Sequence, residues 1–201
     1  MKTKAKIIAA AKAEFHQKGF SGARMQEIAD RCGINKALLH YHFTNKEVLF
    51  RSVLLNGVME LFPNVFATLN APLPLQQKLE MVVDMYIDFL IKNPELPRFV
   101  LHELSQNPNF IQEVLPGMSV RPTAFIAQVE EAIANKEILP NNPFQIITDV
   151  IGLCAFPFIA KPMLQMVSGM NEKEFTTFIQ ERKAHVKQLV IAGLFMSNQN
   201  T

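Results

Sequence analysis

Lys36, Ala37, His40 and Tyr41 bring a cation, a small side chain, an imidazole and a phenol into six consecutive positions. On a helix these positions share one outward face. Such a face suits the base edges and phosphates of a major groove about 12 Å wide, since it offers charge, ring hydrogen bonds and one point of close backbone approach. That is binding chemistry. For catalysis the body of the chain, beyond about residue 60, has no paired carboxylates near a histidine, no Gly-rich phosphate loop, no HExxH and no nucleophile motif, so no enzyme is expected. Cys32 and Cys154 form no CxxC or His-linked pattern, which predicts no disulfide, no metal site and no cofactor and fits a reducing cytoplasm.

The elements that must hold this face can be read from apolar spacing and punctuation. Asn35 is placed to cap a helix over about Lys36 to His42. Before it, Ala23 to Arg31 reads as a short helix burying Met25, Ile28 and Ala29, with Gly33 as its stop. Ile28, Ala29, Ile34, Leu38 and Leu39 form the seam between the two, so residues of about 24–43 have the shape of a helix-turn-helix. Ile7, Ile8, Ala11 and Phe15 predict a first helix over roughly 4–18, with Thr3 as its cap and Gly19 as its end. Thr44-Asn45-Lys46-Glu47 has the capping-box form and starts a fourth helix, expected to reach about Phe62.

Beyond Pro63 the segment through Pro72 and Pro74 reads as a connector. Leu75, Leu79, Val82, Val83, Tyr86, Phe89 and Leu90 then mark an amphipathic helix that Asn93-Pro94 ends. Further helices are expected at about 95–106, 108–115, 120–136, 143–156 and 172–196. Strand signals are scarce, and the fold class is all-α with about nine helices.

Charge is unevenly distributed. The first 50 residues hold nine Lys and Arg against four acids, whereas the remaining 151 hold eleven against fourteen. A basic head on a mildly acidic body is expected where one end meets a polyanion, although a solvated cationic helix would give the same numbers.

The run from Ile28 to Phe50, Ile-Ala-Asp-Arg-Cys-Gly-Ile-Asn-Lys-Ala-Leu-Leu-His-Tyr-His-Phe-Thr-Asn-Lys-Glu-Val-Leu-Phe, resembles the DNA-binding signature of the TetR family. Ile7-Ile8-Ala9-Ala10-Ala11 with Phe15 and Gly19-Phe20 resembles that family's first helix. The resemblance covers about residues 1–60 and implies an N-terminal three-helix DNA-binding domain there, followed over 61–201 by a larger helical ligand-binding and dimerisation domain. It implies a homodimer on a palindromic double-stranded DNA operator, usually repressing, released by a small apolar or amphipathic inducer. Carried over by position, Lys36, Ala37 and His40 fall where the family approaches bases, and Tyr41, His42 and Lys46 where it grips phosphates. One departure concerns the start of the second helix, where the family commonly has Thr or Ser. Here stand Ala23 and Arg24, so Ser21 is the candidate cap and Arg24 the candidate phosphate contact.

The body is rich in Met and Phe, among them Met81 and Met118. Such residues line adaptable cavities, though ordinary core packing explains any one of them as well. Met85, Tyr86, Phe89, Phe99, His102, Phe125 and Phe156 are the candidates for an inducer pocket. The helix at 143–156 is apolar on more than one face, and with the last helix it supplies a candidate dimer interface through Ile147, Ile151, Phe178, Val186, Leu189 and Val190, with Gly152 and Gly193 permitting close approach.

No apolar signal region follows the opening lysines, which argues against secretion. Phe144 to Met170 is apolar, but Asp149, Pro157, Lys161 and Pro162 interrupt it, so no membrane partner is expected. Two other readings stay open: an apolar-ligand carrier, and a DNA-binding activator or architectural protein without an inducer.

Overall fold

The computed structural model describes residues 2–117 and 121–195; Met118, Val120 and Met196, which fall within the sequence expectations, lie outside them. The chain divides into two compact units, Met1–Glu60 and Leu61–Thr201.

In the first unit, α1 (Lys2–Gly22) is broken at Gly19, whose φ of 66° and ψ of 174° are open to glycine at little cost. Thr3 lies inside this helix and does not cap it. α2 (Met25–Cys32) ends at Gly33 in the left-handed conformation, φ 70°. There the Gly33 N–H donates to the Asp30 carbonyl and the Ile34 N–H to the Ala29 carbonyl, so the open carbonyls of the last turn are satisfied. α3 (Lys36–His42) starts at Asn35, whose side chain accepts from the Leu38 N–H at 2.8 Å. α4 (Lys46–Asn70) begins within this unit.

Ile7, Ala11, Ile28, Ala29, Leu39, Phe43 and Leu49 are almost fully buried in one core. Each large side chain among them contributes about 1.5–3 kcal/mol of burial. Phe50 meets Phe15 and Phe20 at 4.9 Å between ring centroids. Leu38, expected in the seam, is 38% exposed. It precedes Leu39 on a helix of 3.6 residues per turn, so only one of the two can face α2.

Two caps differ from expectation. α4 starts one residue later than the Thr44–Glu47 frame requires, and Asn45 is its cap, accepting from the Val48 N–H at 2.8 Å. Ser21 falls inside α1, and α2 has Arg24 at its N-cap position with no side-chain cap.

α4 also continues past Phe62 to Asn70 with Pro63 inside it, where a connector was expected. A proline within a helix removes one backbone hydrogen bond and costs about 3 kcal/mol. Burial of Leu61 and Leu69 on the same stripe is of comparable size and opposes that cost. The Asn70 side chain donates back to the Phe66 carbonyl and accepts from the Ala124 N–H. By length and composition α4 is long and apolar enough to cross a membrane. Its apolar residues are used in the protein interior, Leu49 and Val53 in the first unit and Leu61 and Leu69 in the second.

The second unit is built on α5 (Leu75–Lys92) and α9 (Pro143–Ile159). α5 packs against α8 (Thr123–Ala134), α9 and α11 (Glu172–Leu194). α6 (Leu96–Gln106) lies on α9, and the short α7 (Phe110–Val114) lies on α6. α10 (Lys161–Ser168) follows α9 after a 71° bend, at the place where Pro157 and Pro162 interrupt the apolar run. With α10, which the sequence marked only as a bend, eleven helices are present among the described residues where about nine were expected. One antiparallel bridge joins Ile138 to Phe195.

Val83, Ile87, Leu90, Phe125, Val129, Cys154 and Val186 are fully buried in this unit. So is Lys78, whose Nζ donates to Gln128 Oε1 at 2.6 Å while the Gln128 amide donates to the Leu73 carbonyl. Lys187 pairs with Asp84 at 2.9 Å, and Lys183 with Asp88, joining α11 to α5.

Candidate nucleic-acid interface and cavity

The exposed face of α3 is fixed from both ends. The Asn35 cap and the fully buried Leu39 set the helix rotation, which leaves Lys36, Ala37, His40 and Tyr41 in solvent. Tyr41 is 83% exposed, and the His42 ring, half-buried, stands edge-on to it at 5.4 Å. Phe43 wedges into the core at 1% exposure. His40 Nδ1 lies 3.1 Å from the Thr44 carbonyl oxygen.

Five basic residues of this unit are engaged to different degrees. Arg31 and Lys18 are held by carboxylates: the buried Glu14 receives Lys18 at 2.7 Å and Arg31 at 2.9 Å, and Lys18 also reaches Glu27 at 3.0 Å. The Lys18 ammonium, helped by Arg31 and opposed by desolvation, holds the Glu14 carboxyl below its ordinary range. Arg24 and Lys36 are exposed and make no side-chain hydrogen bond or ion pair among the described residues. Lys46 is intermediate. Its Nζ donates to the Ala23 carbonyl at 3.2 Å and sits 4.5 Å from the Phe20 ring centroid, so it closes the turn between α1 and α2.

In the second unit a cavity of about 190 Å³ opens among α4, α5 and α9. α4 supplies Leu61, Phe62, Val65, Phe66 and Leu69. Leu79, Val82 and Tyr86 come from α5, and Phe144, Ile147, Val150 and Ile151 from α9, with Pro122 at one side. Burial raises the Tyr86 phenol well above its ordinary pKa, with Cys154 acting in the same direction, and pushes the Cys154 thiol up to about 12.

Of the seven pocket candidates, only Tyr86 lines this cavity. His102 is exposed on α6, and Phe156 is 50% exposed on α9. Phe125 is fully buried in the core, and Phe99 packs edge-on against Phe110 at 5.8 Å. Met85 and Phe89 are half-buried on α5 outside the wall. The α4 wall is missing from the sequence expectation, because Pro63 reads as a helix end by local rules. The stripe Leu61, Phe62, Val65, Phe66, Leu69 keeps helical spacing straight through that proline and is the signal that locates it.

Residues 7–53 match the family model described as bacterial regulatory proteins, tetR family. This segment is a TetR-family DNA-binding domain. The matched segment runs from the first helix through the start of α4 and includes the whole exposed face of α3. A relative, the probable HTH-type transcriptional regulator YttP of Bacillus subtilis, is 25% identical over 198 residues, 95% of each chain. Among solved structures, a transcriptional regulator of Saccharomonospora viridis in complex with choline superposes with a TM-score of 0.68 at 18% identity, covering 98% of this chain and 99% of that one. The FadR regulator of Bacillus subtilis in complex with stearoyl-CoA gives 0.59 at 16% identity, covering 94% and 98%. At these identities the two structures share the TetR-type fold, an N-terminal helix-turn-helix followed by a helical C-terminal region.

The TetR-family dimer candidates divide by burial. Val186 and Val190 are buried in the chain's own core and leave little surface for a second copy, while Phe178 is half-buried beside Phe175. Leu189 and Ile151 are 46% and 48% exposed, and Ile147 and Ile151 also line the cavity. Beta carbons built on Gly152 and Gly193 would meet nothing within 4 Å.

Proposed function

We propose that this DNA-binding transcriptional regulator acts as a cytoplasmic homodimeric repressor, released from a palindromic operator by a small molecule held in the second unit's cavity. The observation that carries the DNA-binding part is the face of α3: Lys36, Ala37, His40 and Tyr41 all stand in solvent on a helix capped at Asn35 and anchored by Leu39. In this reading Lys36, Ala37 and His40 meet bases, and Arg24, Tyr41 and His42 meet phosphates. Lys46 acts mainly by holding α2 in place, because its ammonium already has a carbonyl and a ring.

Dimerisation uses the exposed stripes of α9 and α11 around Ile151 and Leu189, where Gly152 and Gly193 let backbones approach. An isologous pair relates two α3 helices by a two-fold axis, which demands inverted half-sites. Support for a ligand comes from the cavity itself and from the complexes of the two structural relatives with small molecules.

The test is DNase footprinting of the DNA upstream of the chain's own gene with purified protein. A discrete inverted repeat supports the reading. Uniform coating would favour an architectural protein, and no protection at low salt, with a ligand still bound, would favour an apolar-ligand carrier. Leu189→Arg should give monomers in sedimentation and lose the footprint.

A further inference from the structure

The cavity of the second unit is selective through what its wall lacks. Phe62, Phe66, Val82, Ile147 and Val150 present hydrocarbon, and among the described residues no Lys, Arg, His, Asp or Glu side chain contributes to the lining. Among those residues the polar side-chain chemistry of the wall is confined to the Tyr86 hydroxyl. That hydroxyl makes no hydrogen bond to the chain among the described residues. Burial keeps it protonated, so it can both donate and accept, and the neighbouring Cys154 thiol is neutral for the same reason. The buried ammonium of this unit, Lys78, is not on the wall and is bound to Gln128. An ion entering would exchange hydration for a surface without counter-charge, a loss that nothing in the wall offsets. A polar group brought to Tyr86 meets a hydroxyl that the chain itself does not engage, while the ligand's hydrocarbon covers the apolar wall.

We infer that the cavity takes an uncharged, mainly hydrocarbon molecule carrying one hydroxyl or carbonyl, seated so that this group pairs with Tyr86. This rests on the reading of the cavity as the effector site and narrows its ligand class.

The experiment is calorimetric titration of the full chain with three probes of equal chain length: decanol, decanoate and decyltrimethylammonium. Decanol should bind saturably, and both ions at least about a hundredfold more weakly. Tyr86→Phe, which keeps the ring and its packing, should weaken decanol about five- to tenfold and leave the unliganded melting temperature near that of the parent. Binding of either ion as tight as decanol, unchanged decanol affinity in Tyr86→Phe, or no saturable decanol binding overturns the inference. A parallel arm measures retention on DNA upstream of the chain's own gene. Decanol binding with Tyr86 dependence but no effect on that DNA leaves this inference standing and defeats the inducer reading; ion-selective binding that releases DNA does the reverse.

Discussion

His40 is tied to the turn that follows its own helix: its Nδ1 lies 3.1 Å from the carbonyl oxygen of Thr44. A carbonyl oxygen only accepts, so Nδ1 carries a proton, and the tautomer this selects presents Nε2 as an acceptor. In the major groove the matching donors are the amino groups of adenine and cytosine.

His40→Ala should therefore cost about 1–3 kcal/mol of discrimination at one base pair in each half-site, and the preferred base there should be adenine or cytosine. Competition binding against a panel of single-base operator variants reads this directly. A guanine preference at the His40-dependent position at pH 8 would sink the tautomer argument.

Arg24 and Lys46 should separate in their salt dependence. Arg24→Ala, removing an exposed and unengaged guanidinium, should reduce the log-log salt slope of operator binding by about 0.9 for each copy in the dimer. Lys46→Ala should leave the slope nearly unchanged and lower stability by about 1 kcal/mol, because it removes the bond to Ala23 and the contact with Phe20. Equal slope changes in the two variants would return Lys46 to the phosphate backbone.

Gly33 has φ of 70° with open space where a side chain would go, so its substitution is limited by backbone conformation and not by collision. Gly33→Ala should cost about 1 kcal/mol and Gly33→Asn less, since Asn tolerates the left-handed region. Urea unfolding of both variants is the measurement, and a larger loss in Asn than in Ala would contradict it.

Glu14 ties stability to acid. Its carboxyl titrates below its ordinary value because Lys18 and Arg31 favour the charged form. The stabilisation is therefore complete above the unfolded pKa, about 4.5, and fades as pH falls through the lower folded value. Glu14→Gln should melt lower than the parent at pH 7, with the gap closing toward pH 2–3. A gap that stays constant over that range would show that the charge plays no part.

The first unit was readable because its signals are local. Asn35, Gly33 and Gly19 each act within a few residues through a cap or a positive φ, and the Leu39 and Ile28 positions follow from helical period alone. Thr44 shows the limit of such reading: two overlapping cap frames, Thr44 and Asn45, were available, and a one-residue difference in helix start decides between them. The cavity was less readable because it depends on non-local burial. Pro63 breaks a helix by local rules, yet Leu61 and Leu69 outweigh it once α5 and α9 are in place. His102 and Phe156 are pocket candidates by sequence, but helix rotation turns both to solvent.

Lys78 gives the second unit an alignment pin. Its ammonium is enclosed and has an amide oxygen of Gln128 as partner, and Gln128 is held in turn by the Leu73 carbonyl. Sliding α5 along α8 by one helical turn, about 5.4 Å, would keep much hydrocarbon in contact but leave that ammonium facing apolar side chains. Greasy helices that would otherwise tolerate several registers are thereby restricted to one, and the buried cation that weakens the unit in energy makes its assembly single-valued.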